Sequence, residues 1–232
     1  MSRTILEIVK SAAPKIGIST PSVLMTDTST TGKELAAMAN EVAKRFVRHH
    51  DWSLLKTEAT YTGDGTTTGF NLPSDYVRMP KDQKIWSSRV LGPLLHVTSH
   101  DDWLGLQVRN YGAVSGAWTI IGGKVEFNPP LASGETAKFY YISNKVVAYG
   151  LANTQATFKA DTDVFRLDDL AFELWLIWAW REAKGLSYAE DMVTAETALA
   201  QAVSEDKGSR MLTQSSRRSL RGEIAYNGVI VP

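Results

Sequence analysis

The sequence predicts an α+β fold: a helical bundle with an inserted antiparallel β-rich lobe and an extended C-terminal arm. Three observations carry this prediction. Apolar residues follow a helical period in residues 1–52 and 151–208, they follow a strand period in residues 53–150, and the packing pattern stops in residues 209–232. We therefore expect an N-terminal helix and a long central helix first, then the lobe, then a helical hairpin that completes the bundle, and finally the arm.

Composition limits the classes of function that the chain can have. Of its 232 residues, 44% are hydrophobic and 22% are charged, which is typical of a globular protein with one large domain or two small ones. Basic and acidic residues balance at 25 each, so binding of nucleic acid through bulk positive charge is not favoured. The absence of cysteine excludes disulfides, thiolate nucleophiles and Cys-based metal sites. With no signal-peptide core and no long apolar run, we expect a soluble protein without membrane contact.

Two helices are predicted in the N-terminal part. Apolar residues from Ile5 to Ala12 have amphipathic spacing, and Pro14 and Gly17 end that helix. The second helix runs from about Lys33 to His50 with an apolar stripe that includes Phe46, which we expect to be buried. The preceding segment, which is rich in Thr and Ser, is predicted to be a loop.

Residues 53–150 show the pattern of antiparallel strands joined by turns. The clearest hairpin is WTIIGGKVEFNPP, because Gly122-Gly123 tolerates the positive φ angles of a tight turn. The segment AKFYYISNKVV supplies another strand, and the segment GDGTTTG around Gly63 and Gly69 is predicted to be a hairpin turn between two strands. A short helix is expected after its N-cap, Ser99.

The C-terminal hairpin is predicted as helices 163–185 and 187–207. Asp163 and Gly185 are the expected caps of the first helix, and Ser187 with Glu190 forms a capping box for the second. The first helix is apolar on two faces, one of which carries Trp178 and is expected to be buried in the bundle. Since one bundle rarely covers two faces, we predict a subunit interface on the other face, with its core contributed by Phe172, Trp175, Leu176 and Trp180.

The arm combines arginines with a short extended stretch. Its arginines are Arg210, Arg217, Arg218 and Arg221, and the residues available for apolar and backbone contacts include Tyr226, Val229 and Ile230. Such a segment is either a solvated tail or a docking element that pairs with carboxylates of a partner and adds a strand to a foreign sheet. We interpret these seven residues as the partner-docking site.

Few residues suggest chemistry. His96 and His100, beside Asp101 and Asp102, have the residue types of a metal site, but the β-rich run around His96 places it on a strand, where this spacing does not bring two ligands together. The segment His49-His50-Asp51 contains a possible acid–base pair, although a basic helix end is the simpler interpretation. The Gly-rich segment lacks the Lys-Ser/Thr of a phosphate loop. We therefore predict no catalytic residues, no metal and no cofactor.

Four segments in this order resemble the tailed-phage head-to-tail adaptors, the family that includes the tail tubular protein A of short-tailed phages. They are the N-terminal helix followed by Pro21-Ser22-Val23, then LAAMANEVAKRFVRHHDW, LPSDYVRM and WLIWAWREAKGLSYAED. The resemblance implies a structural virion protein without enzymatic activity. It further implies a ring, generally a dodecamer, that lies below the portal in the neck, extends the DNA channel and binds the next tail component, a nozzle or tail tube. The C-terminal arm would engage the portal protein, phage DNA would pass without specific binding, and assembly would occur in the host cytoplasm.

Two other classes of function remain open from the sequence. One is a small nucleic-acid-binding protein that uses the arginine arm, and the other is a tail-associated hydrolase with a carboxylate pair in the β-rich lobe. Whether that lobe also attaches fibres is left open.

Overall fold

In this computed structural model of the protein, residues 3–109, 116–150 and 152–206 are described. The predicted arm, with all seven of its candidate docking residues, lies outside that part of the chain. The α-helices are α1 (Ile5–Ala12), α2 (Thr30–His49), α3 (His100–Val108), α4 (Asp169–Ala183) and α5 (Ala189–Asp206). Two short 3-10 helices follow α1 and α2, at Ala13–Ile16 and Ser53–Leu55.

Short strands fill the middle of the chain and continue almost to α4. They are β1 (Lys56–Thr62), β2 (Gly69–Asn71), β3 (Tyr76–Arg78), β4 (Trp86–Ser87), β5 (Leu95–His96), β6 (Ala117–Ile121), β7 (Lys124–Asn128), β8 (Thr136–Ser143), β9 (Val147–Tyr149), β10 (Asn153–Gln155) and β11 (Val164–Phe165). The mixed α+β class predicted from the sequence is confirmed. None of the helices within the described ranges is long and apolar enough to cross a membrane.

Side-chain caps set where the first helices begin. Thr4 and Glu7 form a reciprocal capping box at α1, and the Ser29 hydroxyl accepts a hydrogen bond from the backbone N–H of Gly32 at α2. Because Ser29 is the N-cap, α2 starts at Thr30, and the prediction of a loop up to Gly32 was wrong by one helical turn. The predicted cap of α3 is confirmed, since Ser99 accepts from the N–H of Asp102.

The caps predicted for the C-terminal helical hairpin agree less well with the structure. The helix α4 begins six residues later than predicted, with Asp168 accepting from the N–H of Ala171 at 2.6 Å. Asp163 is buried and accepts instead from the N–H groups of Lys159 and Ala160, so it stabilises the turn before β11. The helix α5 begins at Ala189, which leaves Ser187 outside the cap position. Gly185, with φ of 68°, follows the end of α4 as expected.

The central element of the bundle is α4, which packs against α1, α2 and α5. Phe46 of α2 is fully buried, as predicted, and its ring centroid lies 5.3 Å from that of Trp175 and 6.1 Å from that of Phe172. A small antiparallel sheet of order β10-β9-β11 adds Val147 and Phe165 to the same core. Helices α2, α4 and α5 therefore share one hydrophobic core, to which the β-strands contribute.

A second hydrophobic core lies in the lobe between two four-stranded sheets. In one sheet β8 is central, with β1 on one edge and β3 and β4 on the other, and the second sheet has the order β2-β7-β6-β5. The hairpin at Gly122-Gly123 is confirmed, with φ of 58° and 77°. The segment GDGTTTG is not a hairpin turn, because β1 pairs with β8 whereas β2 pairs with β7. Asp64 holds this segment by accepting from the N–H groups of Thr66 and Thr67.

Strand β8 and one ion pair connect the lobe to the bundle. Ile142 of β8 belongs to the bundle core, while Phe139 and other residues of the same strand belong to the lobe core. Arg78 of β3 contacts the end of α2: it donates to the carbonyls of Val47 and His50, at 2.9 and 2.7 Å, and to the carboxylate of Asp51. This contact joins the segments HHDW and LPSDYVRM, two of those that carry the resemblance to the adaptors.

The N-terminal segment is held to α4 through a buried carboxylate. Glu173 is 1% exposed and accepts from Arg3 at 2.5 Å, from Lys15 at 2.6 Å and from the Ser11 hydroxyl at 2.8 Å. Arg3 also bonds Asp169 at 3.0 Å. Burial alone would raise the pKa of Glu173, but the hydrogen bonds from Lys15, Arg3 and Ser11 outweigh it and hold this pKa below its ordinary value of 4.5.

We predict that Glu173→Gln lowers the free energy of unfolding by about 2–4 kcal/mol at pH 7, because charge-assisted bonds are lost from a buried position. Since the folded pKa is lowered, the ionised carboxylate stabilises the fold fully above pH 4.5, and this contribution is lost as the pH falls through the folded pKa. Urea unfolding at several pH values should therefore show the two proteins converging at acidic pH. The matched control is Glu41→Gln, which breaks an exposed pair with Arg45 and should cost about 0.5 kcal/mol or less. A pH-independent gap would contradict the role given to the charge.

Candidate assembly surfaces

The two histidines considered as metal ligands lie on different elements. His96 is on β5, as predicted, and its ring stacks on that of Trp118 with centroids 4.0 Å apart. Partial burial lowers the pKa of His96. His100 is the first residue of α3. Within residues 3–109, 116–150 and 152–206, no group of three or more His, Asp or Glu side chains is arranged to hold a metal ion.

The candidate acid–base pair at the end of α2 has a structural role. Asp51 bonds Arg78 and the N–H of Lys81, whereas Nε2 of His50 lies 3.5 Å from a carboxylate oxygen of Asp206. Burial would raise the pKa of Asp51, but these hydrogen bonds and the charge of Arg78 lower it. Asp51 therefore holds the lobe to the bundle.

The face of α4 predicted as a subunit interface is packed inside its own subunit. Phe172 and Leu176 are fully buried, Trp180 is nearly so, and Trp175 is 8% exposed. Nε1 of Trp175 donates to the carbonyl of Ala195 on α5 at 3.1 Å. Because α2 and α5 of the same chain cover this face, its four residues have almost no surface left to contribute to a neighbouring subunit.

The exposed apolar side of α4 is the opposite stripe, which the sequence assigned to the bundle. Leu170 is 54% exposed, and Leu167, Leu174 and Trp178 are half-buried. The prediction that Trp178 is buried is thus only partly right. Its Nε1 has no hydrogen-bond partner in the described part of the chain. The residual apolar surface of α4 therefore lies on the Leu170–Trp178 side.

A basic groove lies where α2 meets the lobe. It has a volume of about 310 Å³, and its lining residues are Lys44, Val47, Arg48, Tyr76, Val77, Asn144 and Ala156. Lys44 and Arg48 are one helical turn apart and both are exposed. Neither Lys44 nor Arg48 forms an ion pair with another described residue, whereas the neighbouring Arg45 bonds Glu41. The groove thus combines apolar walls with two available positive charges.

The root of the arm is fixed at the end of α5. The carboxylate of Asp206 accepts from the N–H of Ser53 at 2.9 Å and from its hydroxyl at 2.7 Å. A second cleft lies beside this contact, with Trp52, Leu54 and Arg166 among its lining residues. The chain therefore leaves the described structure at the junction between the bundle and the first strand of the lobe.

A third exposed surface lies on the lobe. Leu91 is 96% exposed, and other apolar side chains of the β4–α3 region are also in solvent, namely Trp86, Leu95, Leu104 and Val108. Leu104 and Val108 are one turn apart on α3, while Trp103 anchors that helix in the interior. The sequence reasoning did not single out this surface, although the two exposed residues have the spacing of a helix face.

In the described residues, the candidate groups for chemistry thus have structural partners, and the exposed apolar and charged surfaces lie on α4, on α2 and on the lobe. Residues 3–227 match the family described as the SU10 adaptor protein, and the chain belongs to that family. No curated protein matches the chain. The family comprises structural phage proteins rather than enzymes, and its adaptors are components of the virion. The resemblance to phage head-to-tail adaptors is therefore confirmed at the level of the family.

We predict that Trp175→Ala lowers the free energy of unfolding by about 3–5 kcal/mol, because it leaves a cavity between α2, α4 and α5. The matched control on the exposed side is Trp178→Ala, which should cost about 1 kcal/mol, since part of that ring already contacts solvent. Chemical denaturation followed by circular dichroism measures both. A Trp175 variant as stable as the wild type would mean that this side chain does not contribute to the subunit core.

Proposed function

We propose that the protein is a head-to-tail adaptor that forms a ring below the portal, extends the DNA channel and provides the attachment surface for the tail. The main support is the extent of the family match, residues 3–227. That range includes the bundle, the lobe and most of the arginine-rich arm, so the arm belongs to the sequence shared by the family.

The ring is proposed to close through repeated contacts between different faces of adjacent subunits, generally twelve of them as in the adaptors that the chain resembles. Heterologous contacts of this kind generate closed rings when the rotation between subunits fits. A net charge of zero agrees with a channel through which DNA passes without being held. In this proposal the exposed apolar surface of the lobe faces the next tail component, a nozzle or tail tube.

The arm is proposed to dock on the portal protein. Exposed ion pairs contribute only about 0–1 kcal/mol each. The arm arginines would therefore set the orientation of the arm on the portal more than its affinity; they are Arg210, Arg217, Arg218 and Arg221. Apolar and backbone contacts at Tyr226, Val229 and Ile230 would supply most of the binding energy. The location that follows is the neck of the virion, after assembly in the host cytoplasm.

Deletion of residues 209–232 tests this proposal. We expect the truncated protein to keep its thermal stability, because the bond between Asp206 and Ser53 and the whole bundle core are retained. It should no longer co-sediment with portal-bearing heads. As a control, the four arm arginines are replaced by Gln in the full-length protein. Its affinity for the heads should fall roughly tenfold to hundredfold, because the free energies of several weak ion pairs are lost together. Normal docking of the truncated protein would show that the arm is not the anchor.

A further inference from the structure

We propose that the basic groove of one subunit receives the outward face of α5 from a second copy of the chain. This inference rests on the proposed ring and identifies which two surfaces meet in it. It comes from a match between two surfaces of opposite charge, on α2 and on α5, whose charges are unpaired among the described residues.

The first surface is the groove at Lys44 and Arg48. Its apolar walls, which include Val47 and Val77, suit a small aliphatic side chain, and its two cations favour an anionic partner such as a carboxylate. Helix geometry gives the direction of the Lys44 and Arg48 side chains. Phe46 points toward α4, and residues two positions away on a helix project from nearly the opposite side. Lys44 and Arg48 therefore face away from the core of their own subunit.

The second surface is the outward side of α5. This helix carries five carboxylates, at Glu190, Asp191, Glu196, Glu205 and Asp206, and no lysine or arginine. Asp191 is paired with Arg181 and Asp206 bonds Ser53, so both are engaged within the subunit. Glu190 and Glu196 are exposed and form no ion pair with another described residue.

Between these two glutamates α5 presents an apolar ridge. Val193 is 62% exposed and lies three residues from each of them, on the side away from the buried Ala195 and Leu199. The helix thus offers one aliphatic side chain flanked by two free carboxylates. The groove offers apolar walls and two cations that form no ion pair with another described residue, so the two surfaces are complementary in charge and in the placement of apolar groups.

The donor surface is on α5 and the acceptor surface is on α2, so the pairing is heterologous when two copies do not exchange it reciprocally. A reciprocal exchange would give only a closed dimer, which the cross-linking test below separates from a longer series. Each subunit then has one of each, and contacts can continue from copy to copy until a ring closes. Opposite charges would also fix the register of the contact, since a shift by one turn would leave a cation of one subunit without its carboxylate. The other ligand that the two cations would suit is a nucleic-acid phosphate, which the test below distinguishes.

The absence of cysteine from the sequence allows a direct test. We expect the double variant Ala156→Cys/Val193→Cys, bound to portal-bearing heads and treated with a short bismaleimide, to give a ladder of covalent multimers on a denaturing gel. Each single-cysteine variant, as the control, should give no ladder beyond a dimer. Protein that binds heads without giving a ladder would overturn this inference and leave the proposed function intact. Protein that does not bind heads at all would contradict both.

Charge reversal provides the second test. We expect Lys44→Glu/Arg48→Glu and Glu190→Lys/Glu196→Lys each to reduce the amount of multimer on heads roughly tenfold or more, because like charges then face each other. The variant that carries all four substitutions should recover to within a few-fold of the wild type. The matched control, Lys124→Glu/Lys159→Glu, changes the net charge equally at exposed positions outside both surfaces and should assemble normally.

Failure of the four-substitution variant to recover, with its circular dichroism unchanged, would overturn the pairing. Two results together would instead assign the groove to phosphate. The protein would be retained on DNA in a salt-dependent way that only Lys44→Glu/Arg48→Glu abolishes, and Glu190→Lys/Glu196→Lys would assemble normally.

Discussion

The bundle depends above all on the buried carboxylate of Glu173, because every group that contacts it comes from a distant part of the chain. Its partners Arg3, Ser11 and Lys15 lie just before the first helix, within it and in the turn after it, more than 150 residues away in sequence. Removing one partner leaves a buried charge uncompensated, so the burial of Glu173 on α4 depends on the N-terminal segment being in place. The adjacent core around Phe46 packs against the same helix, through Phe172 and Trp175.

The second constraint is the joint between the lobe and the bundle. Strand β8 contributes Phe139 to one core and Ile142 to the other, so the lobe cannot rotate freely relative to the helices. Arg78 strengthens the joint by bonding two carbonyls at the end of α2 as well as Asp51. In the proposed adaptor role, a joint of this kind would hold the lobe and the bundle in a fixed relation between the two partners.

The sequence predicted what depends on local interactions and missed what depends on distant ones. Amphipathic spacing located α1 and α2, and Gly122-Gly123 identified the hairpin, because helix stripes and turns are encoded within a few residues. The segment around Asp64 was misread as a hairpin, because the partners of β1 and β2 are strands more than 50 residues away. Asp163 was misread as a cap, because nothing local distinguishes a cap from an Asp that accepts N–H groups of a preceding turn.

The faces of α4 show the same limit for the candidate interface. Two apolar stripes predicted cover on two sides of the helix, but the pattern could not indicate which side α5 of the same chain occupies. Small residues on α5, such as Ala195 and Ala202, allow it to approach the Trp175 face closely, and the stripe with Leu170 remains in solvent. Because its own hairpin covers the Trp175 face of α4, the exposed sides of the bundle include the Leu170 stripe and the outer surfaces of α2 and α5. On those two helices Lys44, Arg48, Glu190 and Glu196 form no ion pair with another described residue, and this opposite charge is the basis of the contact proposed between neighbouring copies.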